Sequence, residues 1–329
     1  MSKVKKTGFL ASAFRAIAFL SAAIASSAVS AADYPAGPIR IIIALPPGGS
    51  ADTIARYFAE HLNQRFKQTV IVENRPGADA LIGPTYVARS KPDGLTLLFT
   101  TPSLPTFRAL FKNPATDPEK DLVAIGQVVE SPYFIAVPAS SPVKTLPELL
   151  AQVRANPGKF NAGVFAAGNR LTVESFKRGY GLDMVTVSYK GEAAVAAALM
   201  AGEVGLGIAT AVTTVAPAKE GKLRILAVTG QKRAPTLSDA PTVAESGATG
   251  FQPGSIWFGL LAPVATPKEI VKTLSDEIFA FTSRPELPAR LEPFGFVPAP
   301  TSTADFTALM AREARNAIES AKAAGIEPQ

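Results

Sequence analysis

"IIIALPPGGSADTIAR", residues 41–56, runs three isoleucines into two prolines and two glycines, and then into a stretch with helical spacing. The wider run 39–45, "IRIIIAL", is continuously apolar and of strand length, as expected for a strand covered on both faces in a parallel sheet. From Ala51 the apolar positions Ala51, Ile54, Ala55, Phe58, Leu62 and Phe66 recur at helical spacing, with Ser50 in place to cap the helix. "TVIVEN", residues 69–74, is a second strand, so the opening segment is a βαβ unit. A strand that stops in a glycine-rich turn at a helix start exposes unpaired N–H groups at the positive end of the helix dipole, a place for an anion. Gly48 and Gly49 would let such a ligand approach the backbone. An ordinary tight strand-to-helix connection fits the same residues equally well. The motif is not a P-loop, since no Gly-Lys-Ser/Thr follows, and it lacks the spacing of a dinucleotide-binding loop.

Strand-like runs and helical segments continue to alternate. Strands are expected at 95–100, 122–129, 133–138, "AGVFAA", "MVTVSY", "VGLGIA" and "LRILAVT"; helices are expected near 145–156, over 170–179, in "EAAVAAALMAG" and in "TTVAPAKEG". The last segment, "TSTADFTALMAREARNAIESAKAAG", reads as a closing helix with Ser302 or Thr303 at its start. Two stretches, 128–138 and 247–263, join turn residues to extended apolar runs and look like crossings between domains. They divide the chain into a discontinuous first lobe, 33–131 plus 255–329, and a second lobe, 132–254.

Composition narrows the function. Lys3, Lys5 and Lys6 precede an apolar stretch ending in "SSAVSAAD", the layout of a secretory signal peptide over residues 1–32, cleaved near Ala31 or Ala32. The leader holds four cations (Lys3, Lys5, Lys6 and Arg15) and no acid, so the formal charge of +6 falls to +2 without it. That balance gives no expectation of nucleic-acid binding. With no Cys, an exported fold relies on its core rather than on disulfides, and a single His besides argues against most zinc sites and any thiol nucleophile.

A second turn, "AAGNRLT" at 166–172, repeats the logic of the first and adds Arg170, suited to bidentate capture of a carboxylate. A solvated helix-terminal Arg is the plain alternative. Ligands of open α/β sheets bind beyond the carboxyl ends of the strands, so two such turns in separate lobes would face one another across a cleft. Catalysis finds little support: His61 lies on the flank of the first helix's apolar stripe, and no G-x-S-x-G elbow precedes it.

The ordered segments "YPAGPIRIIIALPPGGSADTIAR", "VIVENRPGA", "ARSKPDGLTLL", "VSYKGEAAVAAALMAGEV", "LRILAVTGQKRAPTLSDAPTVAESGATGF" and "WFGLLAPVATP" resemble the Bug family of periplasmic substrate-binding proteins, the extracytoplasmic receptors of tripartite tricarboxylate transporters. The resemblance covers nearly all of the mature chain. It implies an α/β fold of the two-lobed periplasmic-binding-protein kind (type II-like), each lobe a mostly parallel sheet flanked by helices. It further implies a small organic carboxylate held between the lobes, membrane permease subunits as partners, a monomer in the periplasm, no cofactor and no enzymatic activity.

Carried onto this chain, the two turns map to 46–52 and 166–172. Gly48, Gly49, Ser50 and Asp52 form one wall, with Asp52 ordering the helix start and water; Gly168, Asn169 and Arg170 form the other. Thr101 and Ser103 supply hydroxyls, and Tyr189 and Lys190 orient the far end of the ligand. Three departures stand out. Arg170 occupies the usual His place, Asp79-Ala80 replace a usual Gly pair, and "GLGIATAVTT" lacks the acid that commonly follows "AGEV", leaving a less negative surface near Ala209, Thr210 and Ala211. Phe165 and Leu104 suit a ligand with an apolar body, so aromatic acids stand beside citrate-like ones. A sensor subunit serving a signalling partner would use the same pocket.

Overall fold

β1 (Ile39–Ile43) is the strand of the opening motif, and Ile39, Ile41, Ile42 and Ile43 are wholly buried. It lies between two parallel partners, β2 (Val70–Asn74) and β3 (Thr96–Thr100), which accounts for an apolar run without alternation. α1 (Ser50–Phe66) follows the turn and buries Ile54, Ala55, Phe58 and Leu62. Each of these large side chains contributes on the order of 1.5–3 kcal/mol by leaving water. Gly49, not Ser50, occupies the cap position; Ser50 is the first helical residue and is buried.

The computed structural model describes residues 34–329 except 166, 231, 249, 252, 253, 324–326 and 329, so the expected signal peptide at 1–32 lies outside the described residues. Residues Pro35–Gln329 belong to one compact unit. Within it the strands form two sheets. The six-stranded sheet has the order β11-β4-β10-β3-β1-β2, with β4 (Leu122–Ser131), β10 (Ile256–Pro263) and β11 (Val297–Pro298). The five-stranded sheet has the order β7-β6-β8-β5-β9, built from β5 (Phe134–Pro138), β6 (Phe160–Val164), β7 (Met184–Ser188), β8 (Leu206–Ala209) and β9 (Leu223–Val228). Helices α2 (Ile82–Ala88), α3 (Leu146–Ala155), α4 (Ala167–Tyr180), α5 (Glu192–Ala201), α6 (Ala211–Lys219), α7 (Lys268–Thr282) and α8 (Thr303–Ala323) complete the two α/β lobes.

Most strands of each sheet share one direction, as expected, with β10 and β11 opposed to the rest of the first sheet and β5 to the rest of the second. β10 runs antiparallel to β3 and β4, and β5 runs antiparallel to β8 and β9. The crossings are the cause. The chain leaves the first sheet along β4 and returns along the adjacent β10, so the two must run in opposite directions; β5 and β9 stand in the same relation in the second sheet.

Only Pro132 and Tyr133 separate β4 from β5. There the outgoing and returning chains hold each other: the Tyr133 N–H donates to Thr229 Oγ1 at 2.8 Å, and the Thr229 N–H donates to the Tyr133 carbonyl at 2.9 Å. The closing helix α8 starts where Ser302 Oγ accepts the Asp305 N–H at 3.1 Å. It seats Phe306 directly over Gly259, where a Cβ would lie 2.1 Å from the ring. The Phe306 ring also meets Trp257 edge-on, with centroids 5.1 Å apart.

Candidate functional site

The turn after β1 is shaped from within. Gly48 has φ +87°, a left-handed conformation open to glycine, and its N–H donates to Asp52 Oδ2 at 3.2 Å. The Arg56 guanidinium grips the Asp52 carboxylate with two hydrogen bonds, of 3.1 and 2.9 Å, while Asn74 Nδ2 donates to the Leu45 carbonyl at 3.1 Å. Burial pushes the Asp52 carboxyl up, but hydrogen bonds from Arg56, Gly48 and Asn74 outweigh it and hold the group below the usual carboxylate range. Asp52 therefore orders the turn and has little left for a ligand. Gly49 caps α1 without a side chain, and the N–H groups of Gly49, Ser50 and Ala51 find no acceptor among the described residues. A Cβ placed on Gly48 or Gly49 would meet nothing within 4 Å, so this bare backbone faces open space.

Beside it, at the end of β3, the Ser103 N–H donates to Thr101 Oγ1 at 3.3 Å. Thr101 and Ser103, with Ala80, Leu104 and the end of β1, enclose a hollow of about 10 Å³, the size of a single water. Asp79 and Ala80, which replace the usual Gly pair, and the preceding Ala78 all take positive φ, at 51°, 72° and 47°. Non-glycine residues there carry strain.

In the other lobe, Ala166 lies outside the described residues, and α4 begins at Ala167 rather than at 170. Gly168 and Asn169 thus belong to the first helical turn. The cause is Asn169, which is buried: its Oδ1 accepts the Phe165 N–H at 3.3 Å and its Nδ2 donates to the Ile208 carbonyl at 2.6 Å, tying the helix start to the ends of β6 and β8. Arg170 is half-buried, donates from Nη2 to Ser188 Oγ at 3.1 Å, and has no acidic partner among the described residues. Tyr189 donates its N–H to the Val164 carbonyl at 2.8 Å and leans with Phe165 on the lobe's core, while Lys190 is exposed and has no acidic partner among the described residues.

Two contacts bring these walls face to face. A Cβ on Gly168 would lie 3.2 Å from Ser103 N, Cα and Oγ, so the lobes touch there backbone to backbone. A Cβ on Gly191 would lie 3.8 Å from Pro46 Cγ. Gly168 and Ser103 therefore meet across the lobes, whereas Ala209 and Ser50 are buried and Asp52 and Asn169 serve the turns themselves.

Residues 209–211 are buried, and behind them Glu192 Oε1 accepts the Thr210 N–H at 2.5 Å and the Thr213 hydroxyl at 3.0 Å. Burial pushes the Glu192 carboxyl up against those hydrogen bonds. The Thr210 hydroxyl is wholly buried and without a hydrogen-bond partner among the described residues. Sequence reasoning missed Glu192, which looks like an ordinary first-turn acid of α5, and missed Arg56, although its spacing of four from Asp52 was a visible signal. His61 is packed, not poised for chemistry: it sits against Phe58 and Phe281, with Nε2 3.1 Å from Glu277 Oε2, and burial first of all lowers its pKa.

Comparison with known proteins gives a consistent picture. A family model described as tripartite tricarboxylate transporter family receptor matches residues 54–324. Protein BugT of Bordetella pertussis is 33% identical over 264 residues, covering 79% of this chain and 81% of BugT. The structure of periplasmic binding protein BugD superposes with a TM-score of 0.82 at 32% identity, covering 90% of this chain and 100% of that one. The structure of R. palustris Rpa4515 with adipate gives a TM-score of 0.84 at 31% identity over 90% and 100% of the two chains.

Proposed function

The chain belongs to the tripartite tricarboxylate transporter receptor family, whose members bind solutes and are not enzymes, and from that premise we propose that it captures a small organic carboxylate in the periplasm by closing two lobes over it. The lobes are 33–131 plus 255–329 and 132–254, joined at Tyr133 and Thr229. The loaded receptor, a monomer, delivers its ligand to membrane permease subunits, after export directed by residues 1–32. The adipate held by Rpa4515 supports a dicarboxylate as ligand.

The observation that carries the reading is the pairing of N–H groups at the start of α1, unclaimed among the described residues, with the Arg170 guanidinium of the facing lobe, which has no acidic partner among them, across the Ser103–Gly168 contact. One carboxylate lies at Gly48, Gly49 and the hydroxyls of Thr101 and Ser103. Arg170 takes the second carboxylate, with Gly168 giving close approach and Tyr189 and Lys190 bordering the far end. Asp52, Asn169 and Thr210 support these walls from behind.

Thermal unfolding across a panel of aliphatic and aromatic acids tests the reading. An acid at a hundred times its Kd adds about 2.7 kcal/mol of stability, a rise on the order of 5 °C for a chain of this size. Arg170→Ala is expected to weaken the best dicarboxylate at least about tenfold while leaving the matched monocarboxylate nearly unchanged. No shift with any organic acid would refute the carboxylate receptor; an unchanged dicarboxylate affinity would remove Arg170 from the site.

A further inference from the structure

A cavity of about 580 Å³ lies where the two lobes are hinged. Its walls come from Tyr133 on the outgoing crossing, Phe251 on the returning one, Thr172 and Ser175 on α4, and Glu313 and Ala317 on α8. Of the two turns expected at the carboxylate cleft it shares Gly168, Leu171 and Thr172 of the second and no residue of the first. It is large enough for a small organic molecule.

Its chemistry is the reverse of the cleft's. Glu313 Oε1 accepts the Trp257 indole N–H at 2.9 Å, and no Lys or Arg pairs with the carboxylate among the described residues. Burial pushes the Glu313 carboxyl up to about 7, with the Trp257 hydrogen bond and the nearby Arg312 only partly opposing it. A counter-ion already in place would hold the group well below that value. Tyr133 is buried, and burial raises its phenol, so that wall stays neutral. At the mouth, Glu319 adds a second acid, and the Arg178 guanidinium donates to the Ser320 carbonyl at 3.1 Å. An uncompensated carboxylate between aromatic residues is the recognition chemistry of an organic cation, which gains from both the charge and the ring faces.

We propose that the hinge cavity is a second binding site, for a small organic ammonium, with Glu313 as its counter-ion and Tyr133 and Phe251 as its aromatic walls. The site is independent of the carboxylate reading of the cleft, and its test requires no carboxylate.

The test titrates the protein at about pH 8, where the carboxylate is ionised, with tetramethylammonium chloride and with ethylammonium chloride. Thermal unfolding and calorimetry are read against sodium chloride at equal ionic strength. The wild-type protein is expected to show saturable stabilisation beyond the sodium control. Glu313→Gln keeps an acceptor oxygen for Trp257 and is expected to weaken the ammonium at least about tenfold. Ser175→Phe fills the cavity from the α4 side and is expected to abolish binding. Absence of a saturable shift beyond the sodium control overturns the proposal, and so does an ammonium affinity that survives either substitution.

Discussion

Glu313→Gln also tests the hinge as a thermodynamic element, with no ligand present. In the native protein the carboxyl is raised from its usual 4.5 to about 7, first of all by burial. Between those values the folded state holds a proton that the unfolded chain has released, so stability falls as pH rises. The contribution of Glu313 is therefore complete below about pH 4.5 and is lost as pH climbs through about 7. A shift of that size corresponds to at most about 3.5 kcal/mol, since each pH unit is about 1.4 kcal/mol. Glutamine keeps an oxygen for the Trp257 indole, now held at 2.9 Å, and never ionises. The variant should match the wild-type protein near pH 5 and exceed it by about 2–3 kcal/mol near pH 8. Urea unfolding at the two pH values measures the difference directly, provided the slopes agree. If the gap between the variant and the wild-type protein is the same at both pH values, the carboxylate is not desolvated and the reasoning is wrong.

Gly168→Ala brings a Cβ to 3.2 Å from Ser103 and obstructs the lobe contact; it should cost about tenfold in affinity for the best acid of the panel, read by calorimetry, with an unfolding midpoint close to wild type. Unchanged affinity would mean that closure does not use this contact. Asp79→Gly and Ala80→Gly, at φ 51° and 72°, should each stabilise the protein by about 0.5–1 kcal/mol in urea unfolding, because glycine relieves the left-handed strain and offsets its greater unfolded entropy. Loss of stability on either change would show that those side chains make contacts worth more than the strain.

The fold was legible wherever local pattern and burial agree. Ile41 to Ile43 announce a covered strand, and the spacing of Ile54, Phe58 and Leu62 announces the helix laid on it. The direction of β10 and β5 was not legible, because strand polarity within a sheet depends on which strands become neighbours after the crossings. At the candidate site, the glycine-rich turns were visible as turns, since Gly48 needs its positive φ whatever its surroundings. Glu192 and Glu313 were not, because both look like helix-surface acids until residues distant in sequence, Thr210 and Trp257, close over them. The start of α4 was placed three residues late for a related reason: Asn169 reads as a turn former, yet its side chain engages Ile208, thirty-nine positions away, and lets the helix begin at once.

That same arrangement bears on how the cleft discriminates among ligands. Asp52 engages Gly48 and Arg56, Asn169 engages Phe165 and Ile208, and Glu192 engages Thr210 and Thr213. The polar side chains that hold the walls thus face the protein's own backbone. On the proposed reading, what they leave toward the cleft is bare N–H, a few hydroxyls and two cations, Arg170 and Lys190. Backbone N–H groups recognise any carboxylate alike, so they supply affinity for the class and little choice within it. Choice must then come from the groups free to differ, and of the two cations Arg170 is the half-buried one, oriented by a hydrogen bond to Ser188. A guanidinium fixed in that way rewards a second carboxylate at one distance from the first, whereas the exposed Lys190 accepts many. On the proposed reading, ligand length, rather than the presence of a carboxylate, is therefore the property on which affinities should separate, and Arg170→Ala should erase that separation.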